Sequence, residues 1–403
     1  MFFIREVFCS LGRRKGFCAL TIAASGLFFG FLGFYMGNFK DNQQTLEKLG
    51  RTIPIPVKIT NANGSEDIGL EISAAHMDAL AEGGVKDLVC TAQAGANRDP
   101  SLDEARIYEC DTSVRAANSL EAFEGLEERE FDFQQGYDSG YLSGKEPYCT
   151  ISASYGRLYG ILAGDTLELS VYQMRYTGDS GSFQFLFTGR TSLKVIGTYD
   201  KKEGEMQDVL VPVSWLRAYT QEQGKNFYYD SARAVLEDGF TLNAFKESMD
   251  RSFFSEVDRD VIGGKRGSAL SVQDQIFIET AEKIQGNLEL YRRFQAPFFL
   301  LIYGVSVLLP LLLLRNRKKE AAIALSLGRS RFLTGLELFA ENLLLGITGC
   351  VPMFVLLICI FQIPAGDLLS ILGIFIGCFS LGTCTALGFF LHFDVMELLV
   401  KMD

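Results

Sequence analysis

The chain has 403 residues, a net charge of −11 and 48% hydrophobic residues. Its apolar residues concentrate in the first forty or so residues and in roughly the last hundred, and a long polar, acidic region separates them. This distribution is typical of a membrane protein with one large soluble insert and does not fit a soluble enzyme. The negative net charge argues against nucleic acid as a partner, because phosphate binding needs basic patches.

The N-terminal region predicts a first membrane span. Residues 1–16 predict an amphipathic cytosolic helix that lies in the membrane interface. The apolar run 17–37 is long enough to cross a bilayer, and the basic residues before it predict a cytosolic N-terminus. A cleaved signal peptide is the alternative, although no small-x-small cleavage site follows. Four glycines at helical spacing predict a face for close helix packing, namely Gly26, Gly30, Gly33 and Gly37.

Residues 38–295 predict an extracytoplasmic α+β domain with a helical stalk at each end. Strand signals alternate here with short helix signals, and strands are predicted at 183–187 and 192–199 among others. An oxidising exterior makes Cys90–Cys110 a candidate disulfide, and the third cysteine of the insert, Cys149, leaves the pairing open. The acidic run 121–130 is read as a solvated surface.

The second stalk is predicted by a helical repeat just before the second apolar run. The helix signal covers 273–293, and its apolar positions recur at heptad-like spacing, which predicts a seam for a neighbouring helix. An ordinary core helix of the insert is the alternative. The seam residues are Phe277, Ala281, Ile284, Leu288 and Tyr291.

Three further spans are predicted in the last hundred residues, at 296–314, 338–361 and 368–391. A short external turn joins the last two, and residues 392–403 predict an amphipathic cytosolic tail. Glu341 stands near the inner end of the third span. Since a charge in a membrane helix is costly unless it is paired or near water, we expect it at the interface.

The segment 315–337 predicts a short cytosolic helix, a corner and the start of the next helix. It opens with a cluster of Arg and Lys, and residues 320–327 are helix formers. Gly328 ends this helix, because glycine adopts the left-handed conformation at low cost, and Ser330 can cap the helix that follows. The basic cluster alone also fits a topology signal, since positive residues hold a loop on the cytoplasmic side.

This segment resembles the cytosolic coupling segment of FtsX/MacB-type ABC transporter permeases, a four-span family of the mechanotransmission type. The matching string runs from Lys318-Lys319-Glu320 through Leu327-Gly328 to Ser330-Arg331, directly after an apolar helix. In that family the short helix docks on a separate ATPase subunit. The residues to which the resemblance assigns this contact are Arg317, Lys318, Lys319, Glu320, Ile323, Leu325, Leu327, Gly328 and Arg331.

The insert is similar to the external domain of the same family in the order of three short motifs. These are Gly164-Asp165-Thr166, Val195-Ile196-Gly197 and Val211-Pro212. The resemblance implies a multi-pass permease of the bacterial plasma membrane, with both termini cytosolic and a second permease chain, identical or related, beside it in the lipid. ATP and Mg would be bound by the ATPase partner, and an external protein partner is also expected.

The chain itself carries no motif for ATP, metal or hydrolytic chemistry. It has no Gly-x-x-x-x-Gly-Lys-[Ser/Thr] string. Its two histidines, His76 and His392, fall on opposite sides of the membrane in this topology, which excludes a two-His metal site within one chain. We therefore expect no enzyme activity and no cofactor in this chain. The alternatives are an FtsX-like regulator of an external cell-wall hydrolase, an external ligand sensor and, least favoured, a membrane-anchored hydrolase.

Overall fold

The computed structural model describes residues 15–99, 101, 104–123, 125–177, 182–200, 208–315 and 317–391. The chain divides into two compact units. The helical unit combines the chain up to Lys48 with the chain from Thr280 onward, and Leu49–Glu279 forms the sheet unit. The predicted cytosolic tail and all but the end of the predicted N-terminal helix lie outside the described residues.

Four long helices build the helical unit. Each is long and apolar enough to cross a membrane, and the four apolar stretches predicted from the sequence fall one in each. Three of the four come after the last strand of the chain. The α-helices of the described residues are α1 (Lys15–Thr52), α2 (Ala74–Glu82), α3 (Ala153–Tyr159), α4 (Val213–Glu222), α5 (Leu242–Arg251), α6 (Gln275–Arg315), α7 (Lys318–Ser326), α8 (Arg331–Phe361) and α9 (Ala365–Leu391).

Each predicted stalk is continuous with a predicted membrane span. Helix α1 continues for 38 residues and α6 for 41 residues. The predicted stalk 273–293 and the predicted span 296–314 therefore belong to one element, with Pro297 inside it. A proline removes one backbone hydrogen bond, yet the helix continues through Pro297 and through Pro310.

The glycine face of α1 packs against α8. A Cβ atom built at Gly26 would lie 2.7 Å from the carbonyl oxygen of Gly349, and one at Gly30 would lie 2.8 Å from the Met353 side chain. Gly33 meets the side chain of Leu357 in the same way. Because these positions lack a Cβ, the two helix backbones approach closely, as the glycine spacing predicts.

The sheet unit is organised around a ring of six strands. Each strand pairs with the next in the order β3 (Val85–Asn97), β5 (Thr112–Ala117), β10 (Val209–Pro212), β7 (Tyr148–Ser152), β9 (Phe183–Tyr199) and β8 (Thr166–Tyr176), and β8 pairs back onto β3. A register shift between Val171 and Tyr172 interrupts the β8–β9 pairing, and such bulges bend strands at barrel corners. Tyr172 is fully buried there.

Strands β12, β1, β14 and β13 extend this ring from β3 as one edge of the same sheet, and short strands pair outside it. In chain order the strands are β1 (Ile55–Thr60), β2 (Ile72–Ser73), β3 (Val85–Asn97), β4 (Arg106–Ile107), β5 (Thr112–Ala117), β6 (Phe131–Phe133), β7 (Tyr148–Ser152), β8 (Thr166–Tyr176), β9 (Phe183–Tyr199), β10 (Val209–Pro212), β11 (Tyr228–Tyr229), β12 (Ser231–Leu236), β13 (Ser255–Glu256) and β14 (Ala269–Val272).

Two expectations for the insert are corrected. The strands predicted at 183–187 and 192–199 are one strand, because the residues between them also pair with β8. The candidate Cys90–Cys110 disulfide is not formed, and both thiols are free. Cys110 packs against Gly95, whereas Cys90 lies five positions earlier on β3, about 16 Å away at ~3.3 Å per residue.

That separation is far beyond the reach of a disulfide. Burial also raises the pKa of the Cys90 thiol to about 12 and the pKa of the Cys110 thiol to about 12. Because the thiolate is the species that reacts in thiol–disulfide exchange, a raised pKa lowers the reactivity of both thiols in that exchange at neutral pH.

The contact between α1 and α8 predicts that a methyl group added at this contact lowers the stability of the chain, whereas one added elsewhere on a long helix does not. In Gly349→Ala the new Cβ meets the Ser25 hydroxyl and the Ile22 carbonyl. We expect the free energy of unfolding to fall by about 1–3 kcal/mol, as is typical of overpacking. The measurement is the Tm of the detergent-solubilised chain, which should be lower. Gly373→Ala is the matched control, since nothing lies within 4 Å of its added Cβ. An equal Tm for the two variants would show that this contact does not hold α1 on α8.

Candidate coupling site

The predicted helix, glycine corner and second helix are confirmed. Helix α7 ends at Ser326, and Gly328 has φ +88°, a left-handed conformation that favours glycine. The Ser330 hydroxyl accepts a hydrogen bond from the backbone N–H of Leu333 at 3.2 Å and caps α8. Local sequence chemistry therefore fixes this corner.

Helix α7 has one buried face and one exposed face. Ala321 and Ala322 are buried, and Ala321 belongs to an apolar cluster with residues of α6, α8 and α9. Ile323 and Leu327 are 50% and 83% exposed. At 100° per residue these two fall on the same side of the helix as Glu320, which is also exposed. The exposed face, defined here as Glu320, Ile323 and Leu327, joins two apolar side chains to one carboxylate.

Arg317 lies on the buried side of this segment. Its guanidinium donates to both carboxylate oxygens of Glu341, with an Nη2–Oε1 distance of 3.2 Å. The two side chains are only 14% and 6% exposed. The sequence assigned Arg317 to an outward contact, and the structure corrects this, because pairing with a buried carboxylate draws the guanidinium inward. Glu341 is accordingly paired, which is one of the conditions that make a charge in a membrane helix tolerable.

A second ion pair holds the far end of the corner. Arg329 Nη1 lies 2.7 Å from Glu337 Oε2. Glu337 and Glu341 are four positions apart, so both carboxylates stand on one side of α8. The two arginines come from positions just before α7 and just after it. We call Arg317, Arg329, Glu337 and Glu341 the α7 clamp, since together they fix both ends of α7 to α8.

The remaining residues assigned to this site are divided by the structure. Lys318 and Lys319 belong to the first turn of α7, and their side chains lie outside what the structure describes. Leu325 is half-buried, and Arg331 is exposed at the start of α8. The sequence analysis did not include Arg329 and Glu337. Their signal was the pair of carboxylates at i and i+4 beside a basic loop.

The seam residues of α6 face different neighbours. Phe277, Ile284 and Leu288 are buried, while Ala281 and Tyr291 are half-buried. Within the sheet unit, Phe277 packs against Gly239 and Phe240.

Within the helical unit, the ring of Tyr291 meets Tyr35 of α1 edge-on, with 5.4 Å between ring centroids. Tyr291 of the predicted seam thus packs on a neighbouring helix, and the seam as a whole stays a prediction.

Among the described residues, no group of three or more His, Cys, Asp and Glu side chains could hold a metal ion. His76 follows the Ser73 N-cap of α2, and its ring lies 4.5 Å from that of Phe254 between centroids. It is a packed side chain of the sheet unit. His392 lies outside the described part of the chain. Comparison with protein-family models and with curated proteins gives no match for this chain.

The α7 clamp predicts that replacing Glu341 destabilises the chain more than replacing an exposed glutamate of α6. In Glu341→Ala the Arg317 charge loses its buried partner and keeps the exposed Glu320, whose carboxylate lies 3.9 Å away. Breaking a buried pair typically lowers the free energy of unfolding by about 3–5 kcal/mol. In Glu289→Ala an exposed pair with Arg293 on α6 is lost, which costs about 0–1 kcal/mol. Denaturant unfolding in detergent measures both. The charge exchange Arg317→Glu with Glu341→Arg should recover part of the loss. Equal effects of the two alanine variants would mean that the buried pair does not hold the segment.

Proposed function

We propose that this chain is the permease subunit of an ABC transporter, in which a separate ATPase drives substrate export or extrusion. The four long helices would cross the bacterial plasma membrane several times, with the sheet unit outside and both termini in the cytosol. The observation that carries this proposal is the exposed face of α7 on a segment whose ends are held by ion pairs, of which Arg317–Glu341 is buried and Arg329–Glu337 is partly exposed. A partner that binds such a segment can move the helices to which the segment is fixed.

The topology follows from charge and element order. Basic residues cluster before α1 and again between α6 and α8, and the positive-inside rule puts both clusters in the cytosol. An odd number of crossings then separates them from the sheet unit, which stands between α1 and α6 in the chain. The sheet unit is thus an extracytoplasmic insert, as the resemblance to FtsX/MacB-type permeases implies.

The route of force follows from the same contacts. An ATPase that moves α7 would also move α8, since the clamp joins them. Arg317 lies only two positions after the end of α6. A displacement of Arg317 therefore also moves α6. Within the helical unit, α6 then carries the displacement from Arg315 back toward Thr280, without a loop to absorb it. ATP and Mg belong to the partner in this scheme, and the permease supplies rigid elements.

The buried hydroxyls of the long helices favour this mechanical role over a solute channel. Ser25 donates to the carbonyl of Thr21 at 2.7 Å, and Thr383 donates to that of Phe379 at 2.8 Å. Each hydroxyl is therefore used within its own helix. A polar solute pathway needs side chains that face a common passage.

The exposed face of α7 predicts how an ATPase should associate. The chain, purified from its own host in a mild detergent, should bring a P-loop ATPase with it. Leu327→Glu places a charge in the apolar part of the contact and should lower the recovered ATPase by about tenfold. Phe253→Glu is the control, because Phe253 is equally apolar and 88% exposed but belongs to the sheet unit. If wild type brings no ATPase in several detergents, the transporter proposal is wrong.

The glycine corner predicts a defect in coupling. Gly328→Pro forces φ to about −65° where the chain needs +88°, so α7 must change its angle to α8. We expect membrane insertion to remain while ATP hydrolysis no longer responds to the permease. Gly224→Pro is the matched control, since it introduces the same conflict at φ +69° in the sheet unit. ATPase rates of the reconstituted complexes measure coupling, and normal coupling in Gly328→Pro would contradict the assignment.

A further inference from the structure

A cleft of about 510 Å³ lies in the helical unit at the end remote from α7. It is formed by residues 34–44 of α1 and by residues 361–374, which include the connection between α8 and α9. Its volume is in the range of small-molecule sites, about 300–1,000 Å³. The topology proposed above places the cleft at the external surface of the plasma membrane.

The lining of this cleft changes from apolar to polar along α1. Phe34 and Phe361 form its apolar end as an edge-to-face pair with 5.5 Å between ring centroids, and both rings are exposed. Lys40 and Gln44 lie further along the same wall of α1. At ~1.5 Å per residue, the step from Phe34 to Gln44 covers about 15 Å. This distance reaches from the edge of the hydrocarbon core through the headgroup layer.

The polar end carries charges of both signs. The ammonium of Lys40 pairs with a carboxylate oxygen of Asp367, and these side chains are 50% and 25% exposed. Asp41 also lines the cleft and is exposed. One cation and two carboxylates give the rim a local charge of −1. A purely anionic headgroup would meet two carboxylates, whereas a zwitterionic headgroup can match both signs.

The floor of the cleft is built by close packing. A Cβ at Gly37 would lie 2.8 Å from Cδ1 of Ile363, so α1 lies directly against the α8–α9 connection. Gln362 has φ +52° and turns the chain sharply between the two helices. The cleft therefore exists before a ligand arrives, and binding costs little ordering of the protein.

We propose that this cleft binds a single zwitterionic phospholipid with a primary ammonium group, of the phosphatidylethanolamine type. Lys40 donates to the phosphate, and the carboxylates of Asp41 and Asp367 accept from the lipid ammonium. One acyl chain lies along Phe34 and Phe361. The inference rests on the membrane crossing contained in the proposed function, and it does not depend on an ATPase partner.

The test uses the full chain in nanodiscs made from equal amounts of phosphatidylethanolamine and phosphatidylglycerol. After mild detergent extraction, native mass spectrometry counts the lipids that each chain retains. Wild type should keep one phosphatidylethanolamine molecule in preference to phosphatidylglycerol. Lys40→Ala should reduce that retained species by about tenfold, the effect of one lost charged hydrogen bond. Phe389→Ala is the control, because Phe389 is exposed on α9 and does not line the cleft.

A second variant tests the role of charge directly. Asp41→Asn with Asp367→Asn leaves Lys40 as the sole charge of this group and should turn the preference toward phosphatidylglycerol. Equal retention of both lipids by wild type, or unchanged retention in Lys40→Ala, would mean annular lipid only and would overturn the proposal. Efficient cross-linking of Phe361→Cys to a second copy of the chain, beyond any cross-linking of wild type through the exposed Cys359, would overturn it as well, since the cleft would then be a subunit contact.

Failure of the lipid site is distinguishable from failure of the proposed function. Extraction of the chain from membranes by carbonate would refute the membrane crossing itself. A chain that stays in the carbonate-resistant fraction but retains no selected lipid refutes only the lipid site. A chain that retains the lipid without any ATPase keeps the site and loses the transporter assignment.

Discussion

The structure of the helical unit depends on one requirement, that a charge buried among apolar helices must have a partner. Glu341 is almost fully buried on α8, and Arg317 reaches it from the connection between α6 and α7. Either charge left alone would be costly in a medium of low dielectric constant. The pair therefore holds the connection in one place, and α7 cannot move far from α8 while both charges remain inside.

The packing around this pair works in the same direction. Ala321 is small enough for α7 to lie close to its neighbours, and it shares a cluster with Leu314, Leu338 and Leu387. Further along the same buried stripe of α8, Gly349 allows α1 to approach to backbone contact. Close packing leaves few alternative arrangements, since protein interiors transmit displacement instead of absorbing it. A force applied at α7 therefore reaches three long helices with little loss.

The sequence predicts the parts of this structure that depend on neighbouring residues. The corner at Gly328 and the cap at Ser330 follow from local backbone chemistry, and the long helices follow from length and apolarity. Contacts between distant residues were not predictable in this way. The ring closes where Ala94 of β3 pairs with Gln173 of β8, and no local pattern specifies that partner. For the same reason, Arg317 appeared exposed and Cys90 appeared close to Cys110.

The two ends of the helical unit differ in how firmly their charges are held, and this difference fits the different roles proposed for them. The Arg317–Glu341 pair is shielded from water. Separating the two charges would therefore cost much free energy, and the pair stays in contact. The Lys40–Asp367 pair is half-exposed, and pairs of this kind contribute about 0–1 kcal/mol. A ligand with its own phosphate and ammonium can replace so weak a contact with two new ones. One end is thus suited to transmit motion, and the other to exchange a bound molecule.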